Sequence, residues 1–230
     1  MGPSPVFHEE VATKIETTLS KVGNFVSKWQ PPTRDLIIFG CYFLIAGIWL
    51  TAFGAHITTQ GDDWQMIASS HLGFYPACTG LQTWIVPYRP LHPFLHCIAY
   101  QVYGLDTSKY YAISALLYGG VAFMWYRVST RLFHLPTWAG VLAGIIWLAF
   151  PDDLARQHLI GGFRLLGPLL SLVGMEVILS SRKLRTVILG CVIAFTGFLV
   201  YENLIGLWVG LLILHAMTAN AERLFRVRLV

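Results

Sequence analysis

The stretch Leu36–Ala55, LIIFGCYFLIAGIWLTAFGA, decides the fold. It runs for about twenty residues without a charge, enough for a helix to cross a hydrocarbon core of roughly 30 Å. Hydrocarbon offers backbone N–H and C=O groups no partner, so such a segment closes its hydrogen bonds internally as a helix. Arg34 and Asp35 stand immediately before it and mark its cytoplasmic end. The whole composition agrees. Of 230 residues, 55% are hydrophobic and 12% are charged, where an ordinary soluble domain carries about 25% charged residues. The basic residues cluster between apolar runs and form no stripe interleaved with surface aromatics, which excludes nucleic acid as a partner.

Upstream, Val11, Ile15, Leu19, Val22, Phe25, Val26 and Trp29 recur at helical spacing, interrupted by Lys14, Lys21 and Lys28. That pattern suits an amphipathic helix on the membrane surface, or one packed on a neighbouring subunit; Pro31-Pro32 ends it. No secretory signal is expected, because no apolar run falls in the first thirty residues. Downstream, His56–Ser108 is too polar for lipid and reads as an external loop. It holds Cys78 and Cys97, for which a bridge is redox-permitted on that side; spacing leaves the pairing open.

Further apolar runs follow at 110–126, 137–150, 161–180, 186–201 and 204–217. The segment Leu91–Tyr103 is helical in pattern but short. If it lies along the outer face, every basic cluster (1–34, 127–136, 181–185 and 219–230) falls on one side, as the positive-inside rule requires. The expected architecture is therefore all-α: a polytopic membrane protein of about six transmembrane helices with a helical first external loop. Residues 1–34 form a cytoplasmic amphipathic segment, 35–218 the membrane domain with its external loop at 56–108, and 219–230 a cytoplasmic tail. Both termini are expected in the cytoplasm. The outer face then receives Asp62, Asp63, Asp152, Asp153 and Glu202.

Taken in order, the outer motifs are Asp62-Asp63-Trp64, Tyr88-Arg89-Pro90-Leu91, Tyr103-Gly104-Leu105-Asp106, Ala149-Phe150-Pro151, Gly162-Phe163-Arg164-Leu165-Leu166 and Val200-Tyr201-Glu202. This series resembles the C superfamily of membrane glycosyltransferases, which use polyprenyl-phosphate sugar donors, and most of all its O-mannosyltransferase-like branch. The likeness spans roughly residues 36–217 and corresponds to the N-terminal half of such enzymes. It implies a catalytic carboxylate at Asp62 or Asp63, accepting the proton of an acceptor hydroxyl. The alternative for this pair is a solvated turn or helix cap with Trp64 anchored at the interface.

Arg89 is a candidate for the donor phosphate, whose oxygens suit a planar guanidinium; an ion pair with Asp62 or Asp63 is the other reading. Arg164, inside an apolar run, is a second phosphate candidate, against snorkelling or pairing with Asp152 or Asp153. Glu202 joins the substrate-binding set, although a paired or snorkelling side chain is equally consistent. Asp152 and Asp153 are the candidates for a divalent cation, since hard cations take carboxylate oxygens; helix capping is the alternative. Glu176, near the inner end of its helix, is expected to be paired or to snorkel.

Two functions compete at this level. One is transfer of a sugar from a polyprenyl-phosphate donor at the external face, with membrane lipid and the lipid-linked donor as partners. The other is a non-catalytic accessory subunit that packs against other membrane subunits.

Overall fold

A computed structural model describes residues 31–54, 91–104, 106–149, 161–180, 183–201 and 208–213, together with Thr17 and Gly206. Among the described residues every regular element is helical. In chain order they are α1 (Pro31–Gly54), α2 (Leu91–Tyr103), α3 (Thr107–Arg127), a π turn (Val128–Leu132), α4 (Thr137–Ala149), a 3-10 turn (Gly161–Leu165), α5 (Leu166–Ser180) and α6 (Leu184–Val200). The Pro31-Pro32 pair, read above as a terminator, opens α1: proline's fixed φ and missing N–H suit a first helical turn.

Two stretches, Pro31–Ala52 and Phe163–Ser180, are long and apolar enough to cross a membrane; Thr137–Ala149 and Leu184–Val200 are apolar but shorter. Helix α3 is in neither group, for a physical reason. It is the hub, with Val121 and Ala122 wholly inaccessible and Tyr110, Tyr118 and Tyr126 nearly so. A helix surrounded by protein matches its neighbours' shapes and can carry Tyr, Ser and Gly where a lipid-facing helix carries Leu and Ile.

Pairings along α3 fix how the helices run. Asp35 meets Tyr126, and Phe39 meets Phe123 edge-on with ring centres 5.7 Å apart. Phe43 meets Gly119, so α1 runs against α3. Gly140 lies by Tyr126 and Gly144 by Ala122, so α4 also runs against it. Arg127 reaches Glu176 and Gly120 touches Leu169, so α5 runs alongside α3 in the same direction. At the junction of α1 and α4 the Tyr42 hydroxyl donates to the Val141 carbonyl at 2.9 Å. It fills the notch left by Gly144, where a Cβ would fall 2.4 Å from that oxygen.

Helices α5 and α6 approach backbone to backbone. Gly167, Ser171 and Gly174 on one face Gly190, Ala194 and Gly197 on the other. Small residues at steps of three and four are what allow two helix axes to close this far. Outward, the helices present large apolar stripes: Leu36, Leu44 and Ile48 on α1, and Ile188, Val192 and Phe195 on α6, each more than half exposed.

A methyl added at Gly174 would sit 2.6 Å from the Gly190 carbonyl oxygen, whereas one at Gly40 meets nothing within 4 Å. Gly174→Ala is expected to destabilise the chain by about 1–3 kcal/mol through overpacking. Gly40→Ala is expected to be neutral, or to stabilise by about 0.5–1 kcal/mol through helix propensity. Thermal unfolding of both variants in detergent checks the ranking.

Candidate functional site

Of the residues singled out from sequence, Asp62, Asp63, Arg89, Asp152, Asp153 and Glu202 lie outside the described residues. Arg164 is described. It sits in the 3-10 turn that leads into α5, between Phe163 and Leu165, both buried. Phe163 packs edge-on against Tyr110 at 6.3 Å, and Tyr110 in turn meets Tyr103 at 5.6 Å. Arg164 thus stands where the ends of α2, α3 and α5 converge. Its Nε is enclosed and, among the described residues, has no hydrogen-bond partner. An enclosed cationic donor left unsatisfied is unfavourable, and a carboxylate or phosphate oxygen is the group that satisfies it best.

The corner beside Arg164 explains one of the sequence motifs. Gly104, with φ of 57°, adopts the left-handed conformation that ends α2, and its N–H donates to the Tyr100 carbonyl at 2.8 Å. Asp106 caps α3, accepting from the Ser108 N–H at 3.2 Å, and pairs with Lys109 at 3.2 Å. The Ser108 hydroxyl, helped by Lys109, holds the Asp106 carboxyl below the usual carboxylate range. The Tyr110 hydroxyl closes the turn on the Gly104 carbonyl at 3.1 Å. Tyr103, Gly104 and Asp106 therefore each have an architectural reason, and Asp106 is occupied by its cap and ion pair.

Helix α2 itself is two-faced. Ala99 and Cys97 are buried, whereas Phe94, Ile98 and Val102, spaced four apart, are exposed. Cys97 is disulfide-bonded and Cys41 and Cys191 are free; Cys78 lies outside the described residues. Among the described residues, no group of three His, Cys, Asp or Glu side chains is placed to hold a metal.

A second assembly of charge lies at the far end of α5. From Arg164 to Glu176 the helix rises about 18 Å, so the two are separate. Arg127 grips Glu176 with a two-pronged contact, Nε to Oε2 at 2.9 Å and Nη2 to Oε1. Arg131 bridges Glu176 at 3.2 Å and Asp35 at 2.9 Å. Arg127 approaches Asp35 at 3.7 Å, as does Arg34, and Tyr126 donates to Asp35 at 3.2 Å. The result is a closed ring joining α1, α3 with its π turn, and α5. Both carboxylates are nearly buried. Glu176 is thus paired, as its position suggested.

The rest of the ring was not assembled from sequence, where Asp35, Arg127 and Arg131 served only as topology signals. One signal was present: an acid inside an apolar run needs a basic partner, and two arginines four apart share a helix face.

Beside the ring opens a cavity of about 610 Å³, lined by Arg127, Arg131, His134, Glu176 and Ser180 together with apolar side chains of α3 and α5. A smaller cavity of about 240 Å³, between α1, α3 and α4, is lined almost wholly by apolar atoms, among them those of Trp49 and Ile145.

Comparison with protein-family models, curated proteins and solved structures finds no match for this chain.

The ring makes a stability prediction. Removing one partner of a buried ion pair costs about 3–5 kcal/mol, because the other charge is stranded. Glu176→Ala is expected to approach the low end of that range, since the Arg131 side chain is 48% exposed. The double variant Arg127→Met/Glu176→Leu, which removes both charges of the tightest pair, is expected to recover most of the loss in denaturant unfolding.

Proposed function

We propose that the chain is a multi-pass membrane protein of about six spans, with both termini cytoplasmic. We further propose that its outer end is the donor side of a polyprenyl-phosphate-dependent glycosyltransferase. The observation that carries this reading is Arg164, half-buried, whose enclosed Nε has no partner among the described residues, at the end of the bundle where α2 packs. The apolar stripes of α1 and α6 support the membrane assignment, because soluble monomers rarely expose large contiguous apolar patches. Two separate signals support the orientation: the arginines gather at one end and the disulfide-bonded Cys97 lies at the other.

In this reading Arg164 and Arg89 hold the donor phosphate, with Glu202 at the same face. Asp62 or Asp63 accepts the acceptor's hydroxyl proton as that oxygen bonds to the anomeric carbon. The bond from the anomeric carbon to the lipid phosphate breaks, and its electron pair leaves with the phosphate, whose charge the guanidiniums balance. Asp152 and Asp153 would hold a divalent cation on the same side.

A second reading, an accessory subunit bound to other membrane subunits, draws on the exposed face of α6. Ile188, Val192 and Phe195 can be covered by a partner helix as well as by lipid.

Asp62→Asn/Asp63→Asn is expected to lower sugar transfer from a lipid-phosphate donor by about 10²-fold or more, the usual contribution of a general base, with membrane insertion intact. Undiminished transfer by the purified double variant removes the enzyme reading. Orientation is tested separately, in a background with Cys41 and Cys191 replaced by Ser. A membrane-impermeant maleimide should label Ser108→Cys in intact cells, and Leu135→Cys only after permeabilisation. Labelling of both from the same side overturns the topology.

A further inference from the structure

The cavity beside the charged ring plays no part in the sugar-transfer reading. It lies at the opposite end of the bundle from Arg164 and is polar on one part of its lining and apolar on another. Arg127, Arg131, His134, Glu176 and Ser180 supply the polar part; Phe123, Val173 and Val177 supply apolar surface. Its volume of about 610 Å³ falls within the roughly 300–1,000 Å³ of sites that take small molecules.

Charge balance sets the sign of the ligand. Three guanidiniums, those of Arg34, Arg127 and Arg131, surround two carboxylates, Asp35 and Glu176. Glu176 is already neutralised by Arg127 and Arg131, so its presence in the lining does not repel an anion as a free carboxylate would. Arg131 is the most exposed member, and its contacts to Asp35 and Glu176 use only part of a guanidinium's donor set. The backbone at this place is also unusual. Arg131 sits in a π turn, a rare geometry found often at functional sites. His134 holds a left-handed φ of 51°, which is uncommon for a residue with a side chain.

We propose that this cavity binds the phosphate headgroup of an anionic phospholipid from the leaflet at the basic end, with Arg131 and His134 meeting the phosphate and Val173 and Val177 meeting the start of the acyl chains. The inference rests on the membrane assignment and is independent of sugar transfer. The apolar part of the lining favours a lipid over a free anion, because a soluble phosphate leaves that surface bare.

The test uses the full chain purified in detergent, with phosphatidylglycerol, phosphatidylcholine or inorganic phosphate added, read by native mass spectrometry and by the unfolding midpoint. Phosphatidylglycerol is expected to be retained in preference to phosphatidylcholine and to raise the midpoint, with inorganic phosphate giving a smaller shift. Arg131→Gln is expected to weaken phosphatidylglycerol retention by about tenfold or more, the loss of one charge-assisted hydrogen bond, and Arg131→Lys to restore part of it. Because Arg131→Gln also opens the ring, His134→Gly serves as a second variant. It suits the left-handed backbone, deletes the imidazole outside the ring, and is expected to weaken retention as well. Equal retention of the two lipids, or an unchanged preference in His134→Gly, overturns the proposal. A midpoint shift from inorganic phosphate equal to that from phosphatidylglycerol overturns the lipid assignment.

Discussion

The bundle is held at one end by the mutual neutralisation of Asp35, Arg127, Arg131 and Glu176. Two carboxylates in an apolar setting are tolerable only with cationic partners in good geometry, and each arginine here serves both acids. The ring therefore specifies more than it stabilises. Asp35 belongs to α1, the arginines to the end of α3, and Glu176 to α5. A register slip of one turn in any of the three strands a charge. Apolar faces alone would permit such slips, because Leu and Ile pack against many neighbours at similar cost.

Elsewhere the structure closes by shape. Where α1 meets α3 and α4, and where α5 meets α6, glycines remove side chains so that backbone or a single hydroxyl can enter. The two mechanisms divide the molecule between them. Charge sets which helix ends meet, and small residues set how near the axes come.

Much of this was legible in the sequence. The end of α1, the bounds of α4 and the end of α5 follow from apolar length, from Pro151 and from the basic runs, because those signals are local; the start of α1 does not, since Pro31-Pro32 reads equally as a stop. The α2–α3 corner was legible as a motif but not as a structure. Gly104 and Asp106 look like family markers, and their positions are explained by a left-handed cap and an N-cap. The ring was not legible, because the arginines and acids that meet are separated by 45 to 96 residues, and only the packing of both α1 and α5 against α3 brings them together. Hydropathy leaves α3 out of the candidate spans for a related reason: it scores the medium a helix would face alone, and α3 faces other helices. The acidic residues singled out from sequence stand on segments outside the described residues.

The two faces of α2 have a mechanical consequence. Its buried flank carries a covalent tether at Cys97, and its opposite flank carries Phe94, Ile98 and Val102. A rod tethered along one flank cannot roll about its own axis, and roll angle governs where an apolar ridge on the opposite flank points. Oxidation of that thiol thus fixes which way the ridge of Phe94, Ile98 and Val102 faces.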